Sequence, residues 1–292
     1  MTTATATVDI VARHVPANGT DIHFIEAGQG DPLILLHGGV VTTNPIWAGV
    51  PIAYTSYLNT LAEHFRIIAP DTRGAGKTAR SGGSTSFDQL ADDVVALIDA
   101  LGLDRPMITG FSEGAITATI LAIRSPGSVR AIVNHAGYDF FNPQSPSYAM
   151  LRQMLGGSID ATTADPDAAA RFFAQSDMLP VFELLKSDQD SAQGPDYWKT
   201  YLTLAFERNT QSPGYTFDDL RRITAPTLIL TGDRDIFCSV EEAVTAYRML
   251  QDGELAVLPN TGHLITPAVI QATIEFFQRR ATNPPGAPST SD

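Results

Sequence analysis

The sequence comprises 292 residues, of which 43% are hydrophobic, and it carries a formal net charge of −13 at pH 7. This length and apolar content suit one α/β domain with an insertion. The negative charge argues against nucleic acid or an anionic membrane surface as a partner, since no basic patch could easily dominate such a field, and a small-molecule substrate remains the expected partner. The single cysteine, Cys238, cannot form an internal disulfide, which favours a cytoplasmic location.

The two ends of the chain carry further expectations. The N-terminal segment lacks a basic region followed by a long apolar core, so it predicts neither a signal peptide nor a membrane anchor. The longest apolar runs, such as PLILL, have the length of a strand and are far too short to span a bilayer. Residues 281–292 are rich in Pro, Ser and Gly and are predicted to form a disordered tail.

Short apolar runs alternate with segments of helical period along most of the chain. This alternation predicts an α/β fold with a mostly parallel central sheet flanked by helices. An amphipathic segment at 19–28 is predicted to be an antiparallel edge strand. The parallel strands are predicted at residues 32–37, 65–71, 105–111, 129–137, 225–232 and 253–259.

A helix is predicted at 87–102 because its apolar residues repeat on one face with a helical period. Ser86 is the expected N-cap and Gly102 the expected C-cap. The apolar face consists of Leu90, Val94, Leu97, Ile98 and Leu101.

The strand signal stops between residues 140 and 215, where helical and loop-like sequence takes over. We therefore predict a core made of residues 1–139 and 216–280, with 140–215 inserted as a helical cap. The aromatic side chains of this insertion allow two interpretations: they pack on the main domain, or they line an apolar pocket beneath a lid. The candidate pocket residues are Trp47, Tyr148, Phe172, Phe182 and Trp198.

The stretch GFSEG at 110–114 places a serine between two glycines, after a predicted strand and before a predicted helix. A nucleophile elbow has this context: the turn is too tight for side chains at Gly110 and Gly114, and the hydroxyl of Ser112 is held above the edge of the sheet. The positive end of the following helix would stabilise negative charge that develops there. Ser112 is therefore the candidate nucleophile.

A serine hydroxyl needs a base within hydrogen-bond reach and a third group that orients the base. His263 lies in the loop after the last predicted strand, where it can overhang the carboxyl edge of the sheet. His37 is better explained as a buried organiser of its loop. His135 also ends a strand and is the rival base, although a structural role is the safer interpretation there. We take His263 as the candidate base.

The acid is expected in LILTGDRDIF, which offers Asp233 and Asp235. Asp233 directly follows the glycine, within the turn, whereas Asp235 has more freedom to reach the histidine loop. We choose Asp235, with Asp233 as the substitute if the turn is tighter. A buried carboxylate there would fix the tautomer of the imidazole and stabilise the imidazolium that forms.

The chain order Ser112, Asp235, His263 is that of the α/β-hydrolases. The sequence resembles this family over about residues 20–280, through LLHGG, PDTRGAG, GFSEG, TLILTGDRD and TGH, which occur in the family's order. The resemblance implies an α/β-hydrolase fold with a helical cap. It also implies an oxyanion hole made of the amide of Glu113 and that of Gly39 or Val40.

Glu113 departs from the family pattern, in which a small or apolar residue frequently follows the serine. Its carboxylate could repel anionic substrates or raise a nearby pKa. It could equally point into solvent or pair with an arginine.

Other chemistries have little support. GAGKT at 74–78 is not a phosphate loop, because Asp71 stands where that motif needs a glycine. Histidine and cysteine do not cluster with metal-ligand spacing, so we expect neither a metal nor a cofactor. Cys238 is interpreted as a small packed residue.

These residues predict a serine hydrolase that cleaves an ester or a similar acyl bond of a small, apolar substrate through an acyl-enzyme. A C–C bond hydrolase, a lactonase or a perhydrolase would use the same triad, because the fold supports all of these reactions. A non-catalytic small-molecule binder on the same fold is the alternative of a different class.

Overall fold

The computed structural model describes residues 8–39, 42–43, 54–81, 84–138, 141–142, 145–157, 163–176, 178–210 and 214–282. For residues 54–56, 146–149, 210 and 281–282 it describes the backbone alone. Nearly all of the predicted tail at 281–292 therefore lies outside the described residues, and so do Val40 and Trp47.

An eight-stranded sheet forms the centre of the described chain, with the order β1-β2-β4-β3-β5-β6-β7-β8. Strands β3 to β8 pair in parallel, whereas β2 is antiparallel to both of its neighbours, β1 and β4. The mostly parallel sheet that the sequence predicts is therefore present. The strands are β1 Ile10–Ala17, β2 Thr20–Ala27, β3 Pro32–Leu36, β4 Arg66–Pro70, β5 Met107–Phe111, β6 Ile132–His135, β7 Thr227–Gly232 and β8 Gly253–Leu258.

The predicted edge strand at 19–28 is antiparallel, but it is not at the edge. Its outer side pairs with Ile10–Ala17, a strand that the sequence interpretation missed. Asn18 and Gly19 both have positive φ, 45° and 73°, and connect the two strands in a tight hairpin. Most of β1 is not buried. Its sequence therefore lacks the alternating apolar pattern on which the strand prediction relied.

Helices cover both faces of the sheet. On one face α2, α3 and α8 pack over the strands, and on the other face α1 and α9 do so. The α-helices are α1 Tyr54–Ala62, α2 Phe87–Ala100, α3 Glu113–Arg124, α4 Pro146–Met154, α5 Pro166–Ala174, α6 Leu179–Gln193, α7 Tyr197–Thr210, α8 Val240–Met249 and α9 Pro267–Thr282.

Helix α2 forms where its amphipathic pattern predicts it. The hydroxyl of Ser86 accepts a hydrogen bond from the amide of Gln89, as expected of the N-cap. The helix ends one residue earlier than predicted: Leu101 is the C-cap, and Gly102 follows it with a φ of +61°. Leu90, Val94 and Ile98 of this face are buried in one cluster with residues of α3 and the sheet, so the face points into the core.

Helices α4 to α7, which we call the inserted helices, lie in the chain between β6 and β7. They have a hydrophobic cluster of their own, in which the Phe173 and Phe182 rings stack at 4.7 Å and Trp198 meets Phe182 edge-on at 5.4 Å. They reach the main domain at the carboxyl edge of the sheet, where Tyr197 donates a hydrogen bond to the Gly74 carbonyl.

Among the described residues, each helix is too short or too polar to cross a lipid bilayer.

Candidate active site

Ser112 occupies a sharp turn between β5 and α3. Its φ of 53° and ψ of −120° place a residue with a side chain in a backbone region that favours glycine. A Cβ on Gly110 would lie 2.3 Å from the carbonyl of Gly114, and a Cβ on Gly114 would lie 2.5 Å from the Leu36 carbonyl. Both glycines are therefore required by close backbone approach, as the sequence motif predicts.

Backbone hydrogen bonds hold this turn in place. The Ser112 amide donates to the carbonyl of His135 on the neighbouring strand at 2.9 Å, and the Ser112 carbonyl accepts from the amides of Ala115 and Ile116. The Ser112 hydroxyl makes no capping bond to α3. The Glu113 amide is in the first turn of α3, where backbone N–H groups have no partner within the helix and can bind an anion.

His263 and Asp235 form a hydrogen-bonded pair at the same edge of the sheet. His263 Nδ1 lies 2.9 Å from Asp235 Oδ2. The Asp235 side chain is fully buried, whereas that of His263 is 16% exposed. The imidazole thus has one nitrogen fixed by the carboxylate, while the ring keeps some access to the surface.

The Asp235 carboxylate is held in its ionised form. Its Oδ1 accepts hydrogen bonds from the amides of Phe237 and Cys238, each at 2.9 Å. Burial by itself would raise the pKa of Asp235, but the hydrogen bond and charge interaction with His263 and the two amides together lower the pKa below its usual value.

Asp233, the alternative acid, is placed elsewhere. Its carboxylate accepts from the Thr261 amide at 3.2 Å, and its side chain is 37% exposed. It therefore holds the start of the loop that carries His263, and the imidazole itself is paired with Asp235.

Aromatic rings connect the pair to the serine turn. The ring of Phe111, the residue before Ser112, lies 4.7 Å from the His263 ring, and the Phe237 ring lies 4.9 Å from it on an edge-to-face contact. The chain neighbour of Ser112 thus supports the imidazole directly, so the serine turn and the His263 loop meet at this edge. The structure thus places the residue before Ser112 against the His263 ring, which in turn is bonded to Asp235.

His135, the rival base, lies behind Phe111. It is fully buried, its ring is 4.8 Å from that of Phe111, and neither ring nitrogen has a hydrogen-bond partner among the described residues. Burial, together with the positive charge that His263 can carry, lowers the pKa of His135 to about 3. His135 is therefore a neutral core residue in the folded protein.

His37 organises its loop, as the sequence interpretation expects. Its Nδ1 lies 2.8 Å from the Gly38 carbonyl, and its Nε2 accepts a hydrogen bond from the Thr72 amide. The neighbouring Asp71 carboxylate is buried and accepts from the Thr43 and Lys77 amides. These contacts make the stretch at residues 71–78 a structural loop beside residues 37–39, which we call the Gly39 segment.

The Glu113 side chain does not point freely into solvent. Arg208 of α7 donates to Glu113 Oε2 from Nε at 3.1 Å and from Nη2 at 2.6 Å, and Asn209 donates to Oε1 at 2.5 Å. Of the alternatives that the sequence left open, pairing with an arginine is the one observed. Arg208 and Asn209 lie 95 and 96 positions from Glu113 in the chain, so no local sequence pattern points to them.

Gly39 lies directly against this ion pair. A Cβ on Gly39 would be 2.5 Å from Glu113 Cδ, and the Gly39 carbonyl accepts a hydrogen bond from the Tyr201 hydroxyl. The two described residues to which the family resemblance assigns the oxyanion hole, Gly39 and Glu113, are therefore in contact. Val40 lies outside the described residues.

Three of the predicted pocket residues pack in or against the hydrophobic cluster of the inserted helices. Phe182 and Trp198 are 4% exposed and belong to the hydrophobic cluster of the inserted helices, and Phe172 is partly buried against the same cluster. Trp47 and the side chain of Tyr148 lie outside the described residues. That these residues line a pocket stays a prediction.

One group of side chains has the composition of a metal site. Ligand atoms of Asp235, Cys238 and His263 lie within 4.8 Å of one another. Two of the three are the hydrogen-bonded pair described above, and Cys238 is a buried cysteine that forms no disulfide. The proximity of these three residues follows from the arrangement of the His263–Asp235 pair.

Comparison with known proteins identifies the family to which this fold belongs. A sequence model of the alpha/beta hydrolase fold matches residues 31–266. The chain is 27% identical over 288 residues to the 2-hydroxy-6-oxo-6-(2'-aminophenyl)hexa-2,4-dienoic acid hydrolase of Metapseudomonas resinovorans, covering 93% of this chain and 92% of that protein. It is 25% identical over 272 residues to the 2-hydroxy-6-oxo-2,4-heptadienoate hydrolase of Pseudomonas putida, covering 87% and 90%.

A solved structure with the same fold is a meta-cleavage product hydrolase from Pseudomonas fluorescens IP01. It superimposes with a TM-score of 0.71 at 20% identity, covering 91% of this chain and 97% of that one. The chain belongs to the α/β-hydrolase fold family. The predicted fold class and family are confirmed, and the predicted enzyme class, a hydrolase of this family, is the class of its relatives.

Proposed function

We propose that the protein is a serine hydrolase in which Ser112 is the nucleophile, His263 the general base and acid, and Asp235 the residue that orients His263. The observation that carries this proposal is the His263–Asp235 pair at 2.9 Å, next to a serine held at positive φ in the strand-to-helix turn. A strained backbone and a buried carboxylate are both costly to maintain, and a nucleophile elbow with an orienting acid accounts for both.

In the first step the Ser112 oxygen attacks the carbonyl carbon of the substrate while its proton passes to His263 Nε2. The carbonyl π electrons move to the oxygen, which becomes the oxyanion of a tetrahedral intermediate. When this intermediate collapses, the bond to the leaving group breaks, and the imidazolium returns its proton to the leaving group. Asp235 stabilises the imidazolium throughout, because its carboxylate is ionised and bonded to Nδ1.

In the second step His263 takes a proton from water, and the resulting hydroxide equivalent attacks the acyl-enzyme. The second tetrahedral intermediate releases the acid, and the proton on His263 returns to the Ser112 oxygen. Atoms and protons balance over the cycle: one water is consumed, and one acid and one protonated leaving group are formed.

The oxyanion would be stabilised by the Glu113 amide at the start of α3 and by an amide of the Gly39 segment. These donors suit the task because backbone N–H groups are fixed before negative charge develops, and removing one such donor typically costs about a hundredfold in rate. The helix dipole of α3, a helix of 12 residues, adds to this stabilisation.

We propose an ester or a similar acyl compound as the substrate class, with the inserted helices acting as a cap above the site. In a second candidate function, the protein hydrolyses a C–C bond next to a carbonyl. The chain's similarity to the Metapseudomonas resinovorans hydrolase over 93% of its length favours this candidate.

The nucleophile is tested with p-nitrophenyl acylates and a fluorophosphonate probe. The wild-type protein should turn over a short-chain ester and be labelled at Ser112, whereas Ser112→Ala should do neither while keeping its fold by circular dichroism. Ser125, which lies at the other end of α3, provides the matched control, because Ser125→Ala should leave both readouts unchanged. Retention of full turnover by Ser112→Ala would end the proposal, and a folded wild-type protein without labelling would favour a binder.

The bond type is tested by product analysis. Incubation with 2-hydroxy-6-oxo-6-phenylhexa-2,4-dienoate, the substrate named for a Burkholderia cepacia relative, should release benzoate if the C–C candidate holds. Comparison of kcat/KM for this compound with that for the esters and for a lactone decides between the candidates, and Ser112→Ala serves as the blank for each.

A further inference from the structure

We propose that Arg208 and Tyr201 of helix α7 are positioning residues that set the geometry of the oxyanion hole. The inference rests on the proposed function, and it assigns a role to the Glu113 side chain and to the inserted helices. Helix α7 binds both the side chain of Glu113 and the carbonyl of Gly39. These two groups belong to the two segments that would supply the oxyanion donors.

The first contact fixes the Glu113 segment. The Arg208 side chain is 3% exposed and that of Glu113 is 15% exposed, so this ion pair is largely removed from water. Arg208 offers two N–H donors to one carboxylate oxygen, and Asn209 satisfies the other oxygen. A buried pair with its hydrogen bonds made is geometrically strict, since movement of either side chain would leave an unpaired charge.

The second contact fixes the Gly39 segment. The Tyr201 hydroxyl, which is fully buried, donates to the Gly39 carbonyl. Burial and the nearby Glu113 charge raise the pKa of Tyr201 above its ordinary value, so the hydroxyl keeps its proton and remains a donor. This bond restrains the backbone at Gly39, whose own amide is one of the candidate oxyanion donors.

The two contacts act on one another because Gly39 packs on the Glu113 carboxylate. A methyl group at Gly39 would lie 2.6 Å from Oε1 and 2.9 Å from Oε2. The distance between the two segments is therefore set by the carboxylate, whose position Arg208 determines. Arg208 also neutralises the Glu113 charge, which would otherwise oppose an oxyanion close by.

The catalytic test uses Arg208→Met and Tyr201→Phe in the full-length protein. Each variant should lower kcat for a p-nitrophenyl ester by about tenfold or more, up to the hundredfold loss typical of a missing donor. KM should change by less than about threefold, because the donors act on the transition state and not on substrate binding. The rate of Ser112 phosphonylation by the fluorophosphonate should fall in parallel, since that reaction develops the same oxyanion.

Matched controls separate positioning from stability. Arg73 forms a comparable buried pair with Asp93, at 2.6 Å and with side chains 2% and 7% exposed, so Arg73→Met removes an equivalent ion pair. Tyr57 is a fully buried tyrosine whose hydroxyl bonds Thr109 and Thr273, so Tyr57→Phe removes a hydroxyl comparable to that of Tyr201. Both control variants should lower Tm while kcat stays within about twofold of wild type.

A double variant tests the charge. In Glu113→Gln/Arg208→Met the unpaired carboxylate is absent, so part of the kcat lost in Arg208→Met should return when both variants are assayed well below their Tm, where loss of fold does not contribute. If Arg208→Met fails to fold, Tyr201→Phe and Glu113→Gln, which conserve shape, carry the same test.

The outcomes are distinct. If Arg208→Met and Tyr201→Phe lose Tm to the same extent as their controls while kcat and labelling rate stay at wild-type values, the positioning role is refuted. If Ser112→Ala retains turnover, the proposed nucleophile fails, which is a separate result obtained without any change in α7.

Discussion

His263 Nδ1 lies 2.9 Å from Asp235 Oδ2, although 28 positions separate the two residues in the chain. The carboxyl ends of β7 and β8, which pair in parallel from Thr227 to Gly232, carry the two loops to the same place. Because the carboxylate is fully buried and also accepts two backbone amides, its orientation is fixed before any substrate binds.

Asp235→Asn should lower kcat by about a thousandfold or more, because an amide cannot hold the imidazole in the tautomer that accepts the serine proton. KM should change little, since the Asp235 side chain is fully buried. Initial rates with a p-nitrophenyl ester measure both constants. Asp233→Asn is the matched control, with its carboxylate on the Thr261 amide, and should keep kcat within about threefold. If Asp233→Asn lost more kcat than Asp235→Asn, Asp233 would be the residue that orients His263.

Ser112→Gly should be more stable than Ser112→Ala, although both should be inactive. The φ of 53° strains any residue with a Cβ, and such strain costs about 1–3 kcal/mol. Glycine relieves it but adds about 0.5–1 kcal/mol of unfolded-chain entropy, so a net gain of about 1 kcal/mol is expected. Urea unfolding of the two variants measures the difference. Equal stabilities would mean that the turn is not strained in solution.

Gly110→Ala should destabilise the fold by about 3 kcal/mol, because its methyl group would meet the backbone of Gly114 at 2.3 Å, where no rotamer change can relieve the clash. Gly102→Ala is the comparison, since this glycine has a φ of +61° but nothing within 4 Å of a methyl group. Only conformational strain applies there, at about 1 kcal/mol. Thermal unfolding of both variants checks the order, and a Gly110→Ala protein as stable as Gly102→Ala would contradict the close approach.

His135→Leu should make the protein less sensitive to acid. The pKa of His135 is about 3 in the folded state, against about 6.5 in an unfolded chain. Below pH 6.5 the unfolded chain therefore binds a proton that the folded protein does not, so stability is fully present above that pH and is lost as the pH falls towards 3. Between pH 7 and pH 5 this one residue should cost about 2 kcal/mol.

The measurement for His135→Leu is urea unfolding at pH 7 and at pH 5. Leucine has a similar size and no ring nitrogen left without a partner in the core, so stability at pH 7 should be equal or higher. The decrease in stability from pH 7 to pH 5 should be smaller than in the wild-type protein. An unchanged decrease would indicate that His135 is protonated in the fold.

Much of the fold could be predicted from the sequence because its signals are local. Apolar runs with the length of a buried strand and one amphipathic helix from Phe87 placed most of the sheet and α2. Strand β1 was not predicted because its side chains are largely exposed, and an exposed strand has no hydrophobic period to detect. The close approach of Gly110 and Gly114 was visible too, since only glycine tolerates it.

The sequence by itself determined the family, the order of Ser112, Asp235 and His263 along the chain, and the residue types available for chemistry. Only the tertiary structure decided that Asp235 and not Asp233 bonds His263, and that Glu113 is held by Arg208. Such pairings depend on loop paths and on contacts between segments that are distant in the chain, for which local periodicity carries no information. The buried state of His135 is likewise a property of packing, since the same imidazole at a strand end could have faced solvent.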